Sequence, residues 1–137
     1  MSNDVVPEGF DLVPRGLGYT DTLQPFYRRV DGDEVSFGLL VAPQHGNSMG
    51  ICHGGVLMTL ADISAAAGLN LKRGKRAGSP TINLSLDFIS YAGQGDWIQA
   101  HAERVCVKRR FGFCSGAIYK GDDIVARFNG TFYFPDH

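Results

Sequence analysis

Between Gly54 and Leu71 the chain is built mainly from Leu, Ile, Val, Ala and Gly, and Asp62 is the only formally charged residue in the segment. A lone carboxylate on a helix meant for burial costs several kcal/mol if it is desolvated and unpaired. Three readings accommodate it: a narrow solvent stripe shared with Thr59, an ion pair with an arginine, or retention as a group that takes a proton or attacks a carbonyl. The residues before it favour chemistry. His53-Gly54-Gly55 opens the helix, where about four backbone N–H groups lack intrahelical acceptors and a partial positive charge accumulates. Glycines there carry no side chain to block a polarised oxygen from those N–H groups, which describes an oxyanion hole. Read singly, Gly54-Gly55 serves tight packing equally well, His53 a structural hydrogen bond, and Asn47, six residues before His53, an ordinary turn.

These residues need elements to hold them. The pattern predicts an irregular arm over residues 1–22, a hairpin of strands Phe26–Asp31 and Glu34–Ala42, a loop, and then one long helix from Gly54 to about Leu71. Lys72, Arg73 and Gly74 close the helix as basic residues and a glycine close helix C-termini. Four strands follow: Thr81–Ile89, Trp97–Val107, Phe111–Tyr119 and Ile124–Phe134. About six strands in short antiparallel connections, with one helix rich in small residues, predict a single α+β domain over residues 1–137, its sheet wrapped around the helix. The 137 residues are 44% hydrophobic and 20% charged with a net charge of −1, so no global field draws the chain to nucleic acid or an anionic membrane. Gly54–Leu71 falls short of a bilayer span and carries Asp62 in its middle, which argues for a soluble protein. Three cysteines without CxxC spacing, and the absence of a signal-like start, fit the cytoplasm.

The string Asn47-Ser48-Met49-Gly50-Ile51-Cys52-His53-Gly54-Gly55, followed by Leu60-Ala61-Asp62, resembles the Asn-x-x-Gly-x-x-His-Gly-Gly-x6-Asp/Glu signature of hotdog-fold acyl-CoA thioesterases of the phenylacetate-pathway (PaaI) type. Thr81 to Phe88, with Gly95-Asp96, is similar to that family's third strand and the turn after it; Tyr91-Ala92 departs from it where many relatives have proline. The resemblance implies a hotdog fold and hydrolysis of an acyl thioester. Asp62 would be general base or nucleophile, and the Gly55 N–H would polarise the carbonyl. Asn47 and His53 would orient the reacting groups, Thr81 would hold the water or Asp62, and Gly54 and Asn83 would line the substrate site. A thioester has an electrophilic carbonyl and a good leaving group, so a carboxylate and a positioned water suffice. The parity of the strand sets Thr81 opposite Ile82 and Leu84, and does not say which face meets the helix.

Gly55 and Asp62 are seven residues apart, about 10 Å along a helix axis, too far to serve one reaction centre from one chain. Two antiparallel helices in a C2 homodimer would bring one chain's Gly55 to its partner's Asp62. The resemblance agrees, with sites at a dimer interface and dimers of dimers as an extension. Coenzyme A, here part of the substrate and not a cofactor, carries phosphates. Lys72, Arg73, Lys75 and Arg76 form one basic cluster and Lys108, Arg109 and Arg110 another, with Arg109 and Arg110 the candidates for phosphate binding. His45, His53, His101 and His137 lack zinc-site spacing, so no metal is expected. Cys52 beside His53 is a poor nucleophile candidate in an apolar setting. The competing readings are a hotdog hydratase or dehydratase, with His53 and Asp62 as its proton-transfer pair, and a non-catalytic acyl-CoA-binding module.

Overall fold

A computed structural model of the chain describes residues 6–76 and 78–136; residues 1–5 of the expected arm, and His137, lie outside the described residues. Seven strands form one antiparallel sheet: β1 (Asp11–Leu12), β2 (Phe26–Asp31), β3 (Glu34–Leu40), β4 (Thr81–Phe88), β5 (Trp97–Val107), β6 (Phe111–Lys120) and β7 (Asp123–Tyr133), in the order β1-β2-β3-β5-β6-β7-β4. One helix, α1 (Gly54–Arg73), joins β3 to β4 and packs on one sheet face, the α+β hotdog arrangement. The strand beyond the expected six is β1, where the arm pairs Asp11 with Arg28 and Leu12 with Tyr27. The arm also makes one 3-10 turn, Gly18–Leu23, that buries Leu23.

Period-two patterning built the sheet. On β3, Val35, Phe37 and Leu39 face α1 and are buried, as are Ile98 and Ala100 on β5 and Phe128 and Phe132 on β7. The helix contributes Leu57, Leu60, Ala61, Ser64, Ala65, Gly68 and Leu69. Close approach depends on glycine, as two positions show: a Cβ on Gly68 would lie 2.6 Å from the Ala102 Cβ, and one on Gly116 would lie 1.9 Å from the backbone oxygen of His101.

The sheet curls over one side of the helix and leaves the other side open. Gly55 and Met58 are exposed, and Thr59, Asp62 and Ala66 half-exposed. It runs to Arg73, ends on Gly74 at φ 69°, and with its 20 residues is long and apolar enough to cross a bilayer, although the sequence pattern stopped it shorter; here it lies against the sheet.

Candidate active site

His53 begins the site as the N-cap of α1. Its Nδ1 accepts from the Gly55 N–H at 2.8 Å, which places the proton of the neutral imidazole on Nε2. The Val56 and Leu57 N–H groups donate to the His53 carbonyl at 3.0 and 3.3 Å. Gly54 is the remaining donor of the first turn, and its N–H has no partner among the described residues. The Gly55 N–H, the one expected to polarise a carbonyl, is occupied by the cap, and Gly54 presents the open one.

Asn47 is held by its own loop. Its Oδ1 accepts from the N–H groups of Met49 (2.8 Å) and Ile51 (3.3 Å), and its N–H donates to the Ile51 carbonyl at 2.8 Å. The amide oxygen is thereby used and the Nδ2 donors are left over. Asn47 and Gly54 line one cavity of about 200 Å³ together with Leu57, Phe88 and Tyr91. The loop is anchored by His45, which is completely buried: Nδ1 accepts from the Ala42 N–H (3.0 Å), Nε2 donates to the Leu23 carbonyl (2.9 Å), and its own carbonyl accepts from the His53 N–H (2.8 Å). Burial lowers the His45 pKa, partly offset by the Leu23 bond. No motif spacing flagged His45, since its partners are a distant carbonyl and a neighbouring amide. Phe88 and Tyr91 were marked only through the family resemblance, Phe88 as the end of the matching strand and Tyr91 as a departure after it, with no sign that they line a cavity with Asn47 and Gly54.

Asp62 lies two turns further on. Its Oδ1 accepts from the Thr81 hydroxyl at 2.6 Å, and it forms no ion pair among the described residues, so the arginine reading of this carboxylate falls. Strand parity left the direction of Thr81 open; a β-bulge decided it. The register shifts between Thr81 and Asn83, so Thr81 stands opposite buried Phe132 while Asn83 stands opposite Thr131. Directly paired residues share a sheet face, so the extra residue turns Thr81 to the helix side and leaves Asn83 on the far side. Asn83 is therefore not brought to Asp62 or the helix start. From Gly54 to Asp62 the helix advances about 12 Å, and Asp62 is not part of the Asn47–Gly54 cavity.

Cys52 is buried and its thiol is pushed up to about 11, which removes it as a thiolate nucleophile at neutral pH. Of the basic clusters, Arg73 and Lys75 are engaged by Asp136 at 2.7 and 3.0 Å, and the Arg73 guanidinium sits 3.8 Å over the Phe134 ring. Arg109 and Arg110 are exposed at the β5–β6 turn and form no ion pair among the described residues. Among those residues no group of three or more His, Cys, Asp and Glu side chains is arranged to hold a metal ion.

Residues 49–126, from the loop before the N-cap to β7, match the family model described as the thioesterase superfamily. The chain belongs to the thioesterase superfamily. Over 131 residues this thioesterase-superfamily chain is 34% identical to a Pseudomonas aeruginosa protein named "Putative esterase PA0474", covering 95% of this chain and 98% of that one. Its fold is shared with the Escherichia coli PaaI protein from the phenylacetic acid degradation operon, with TM-score 0.73, 23% identity, and 83% and 82% of the two chains covered. It is shared also with a hypothetical thioesterase from Streptococcus pneumoniae crystallised with coenzyme A, with TM-score 0.71, 19% identity, and 90% and 94% covered.

Proposed function

We propose that the protein hydrolyses acyl-CoA thioesters at two identical sites, each assembled from both chains of a homodimer. The observation that carries this reading is the division of the groups: the Asn47 amide and the Gly54 N–H converge on one small cavity, while Asp62, held by Thr81, lies about 12 Å further along the same helix. Placed antiparallel across a two-fold axis, one α1 sets its Gly54 beside the other's Asp62. The surface such a partner would cover is apolar. Met58 on α1 and Ile82, Phe88, Ile89 and Tyr91 on and after β4 are all exposed, and β4 is an unpaired sheet edge. Exposed apolar surface next to a free edge is what association buries.

In such a site the thioester oxygen lies against the Gly54 N–H and Asn47 Nδ2, with the His53 Nε2–H oriented by its bond to Gly55. Asp62 takes a proton from water as the water oxygen attacks the carbonyl carbon. Negative charge builds on the carbonyl oxygen, then returns as the C–S bond breaks and the CoA thiolate leaves. The Thr81 hydroxyl occupies one carboxylate oxygen and leaves the other for the proton. Arg109 and Arg110 sit toward the C-terminal end of α1, the end a partner's helix start would face, and are free to meet nucleotide phosphates. The coenzyme A in the pneumococcal structure supports the choice of carrier.

A free-thiol release assay over acetyl-, phenylacetyl-, octanoyl- and palmitoyl-CoA tests the proposal. Turnover of at least one of them is expected. Release from none, with acyl-CoA still bound, would make the protein a binding module instead.

A further inference from the structure

A second cavity, of about 880 Å³, opens on the other flank of α1, between the N-terminal arm, β2 and the helix. Its walls are apolar, with Leu17, Phe26, Phe37 and Ile63 among them, and two arginines, Arg28 and Arg76, line it as well. Both arginines are exposed and neither guanidinium has an ion-pair or hydrogen-bond partner among the described residues. One acidic residue, Asp11, shares the wall; it stands opposite Arg28 in the β1–β2 register yet makes no ion pair with it. The lining therefore combines hydrocarbon walls with two unneutralised guanidinium groups against one carboxylate. Volumes of roughly 300 to 1,000 Å³ with apolar walls and a few polar anchors are those of small-ligand sites, and a guanidinium fork matches a carboxylate.

We infer that this cavity binds a hydrocarbon chain ending in a carboxylate, with Arg28 and Arg76 taking the carboxylate and the arm and α1 enclosing the chain. Such a ligand has two sources. One is a free medium-chain acid. The other is a thioester whose acyl group carries a second carboxylate at its far end, reaching in past Ile63, the neighbour of Asp62. The second source rests on the hydrolytic reading above; the first does not.

Calorimetric titration of the intact protein with decanoate, and thiol release from sebacyl-CoA compared with decanoyl-CoA, separate the two. A free acid as ligand gives decanoate binding that weakens about tenfold in Arg28→Gln and in Arg76→Gln and tightens in Asp11→Asn, a gain that misfolding cannot produce. A bound acyl group gives sebacyl-CoA a kcat/KM advantage that both arginine variants erase. Decanoate binding indifferent to all three substitutions, or no binding together with no sebacyl preference, overturns the inference. So does a loss of affinity for coenzyme A itself equal to that for the acid, which would assign the arginines to nucleotide phosphates. Arginine-dependent decanoate binding without turnover of any thioester would leave the cavity standing and remove the hydrolytic reading.

Discussion

Asp62 is held by one hydrogen bond from Thr81 and stands half-exposed on the uncovered side of α1. An amide in its place keeps an oxygen for the Thr81 hydroxyl but cannot take a proton from water. Asp62→Asn is therefore expected to lower kcat by about 100-fold or more while leaving the melting temperature equal or higher, since no ion pair is lost. Activity within a few-fold of wild type would remove Asp62 from the chemistry, and a marked fall in melting temperature would make it structural. Thr81→Val removes one bond to a charged acceptor, worth about 1.5 kcal/mol or more, so kcat should fall roughly tenfold. Thr81→Ser should restore it; equal losses in both variants would show that the hydroxyl does not act through Asp62.

β4 and α1 position the chemistry as a pair. The strand returns along the helix, so Thr81 reaches Asp62 while the Phe88 ring lies 3.4 Å from where a Gly54 Cβ would be. Within the sheet, β5 and β6 pair closely where Gly116 lacks a side chain. A methyl group on Gly116 would collide with the His101 carbonyl, a backbone atom that cannot rotate away. Gly116→Ala should destabilise the fold by about 3 kcal/mol, read from urea denaturation. A midpoint unchanged from wild type would mean that β5 and β6 can separate without cost.

One buried imidazole, His45, and one half-buried imidazole, His101, tie the stability of the whole molecule to pH. Burial lowers both pKa values: His45 lies between the Ala42 N–H and the Leu23 carbonyl, and His101 between Ser36 and Gln99, where Arg29 lowers it further and Glu103 and Glu34 oppose. The Trp97 indole donates to Gln99 Oε1 at 2.7 Å, which turns the Gln99 amide nitrogen toward His101 Nε2. That nitrogen must then accept, and a second proton would break the bond. Because both folded values lie below the ordinary 6.5, the unfolded chain binds more protons over the window beneath 6.5. Stability is full above that value and falls as the pH drops through the window. The urea midpoint should decline from pH 7 to pH 5, and less steeply in His101→Gln; identical slopes would clear His101.

The proposed two-chain site makes a prediction of its own for an assembled homodimer. Asp62→Ala and Asn47→Ala homodimers should both be impaired, yet a mixed dimer has one site with both lesions and one with neither. Co-refolding equal amounts makes about half the dimers mixed under random exchange, so activity should recover to roughly a quarter of wild type. No recovery in verified mixed dimers would put every catalytic group in one chain.

Element types and most boundaries were legible because they depend on local periodicity: β2, β5 and the first residue of α1 fall where the pattern puts them, and the Gly74 cap matches its left-handed φ. The spacing of Asn47, His53 and Asp62 likewise marked candidate groups, since one loop and one helix carry all three, although Asp62 stands outside the cavity that Asn47 lines. Contacts between elements were not legible. A bulge that turns Thr81 inward and leaves Asn83 outside, the cap that occupies Gly55 and frees Gly54, and the anchoring of the loop by His45 each depend on atoms distant in the chain or on a ring orientation, for which composition and period carry no signal. The uncovered side of the helix is a further case: small residues mark it as fit for close packing, but only the assembled sheet shows which side it leaves open.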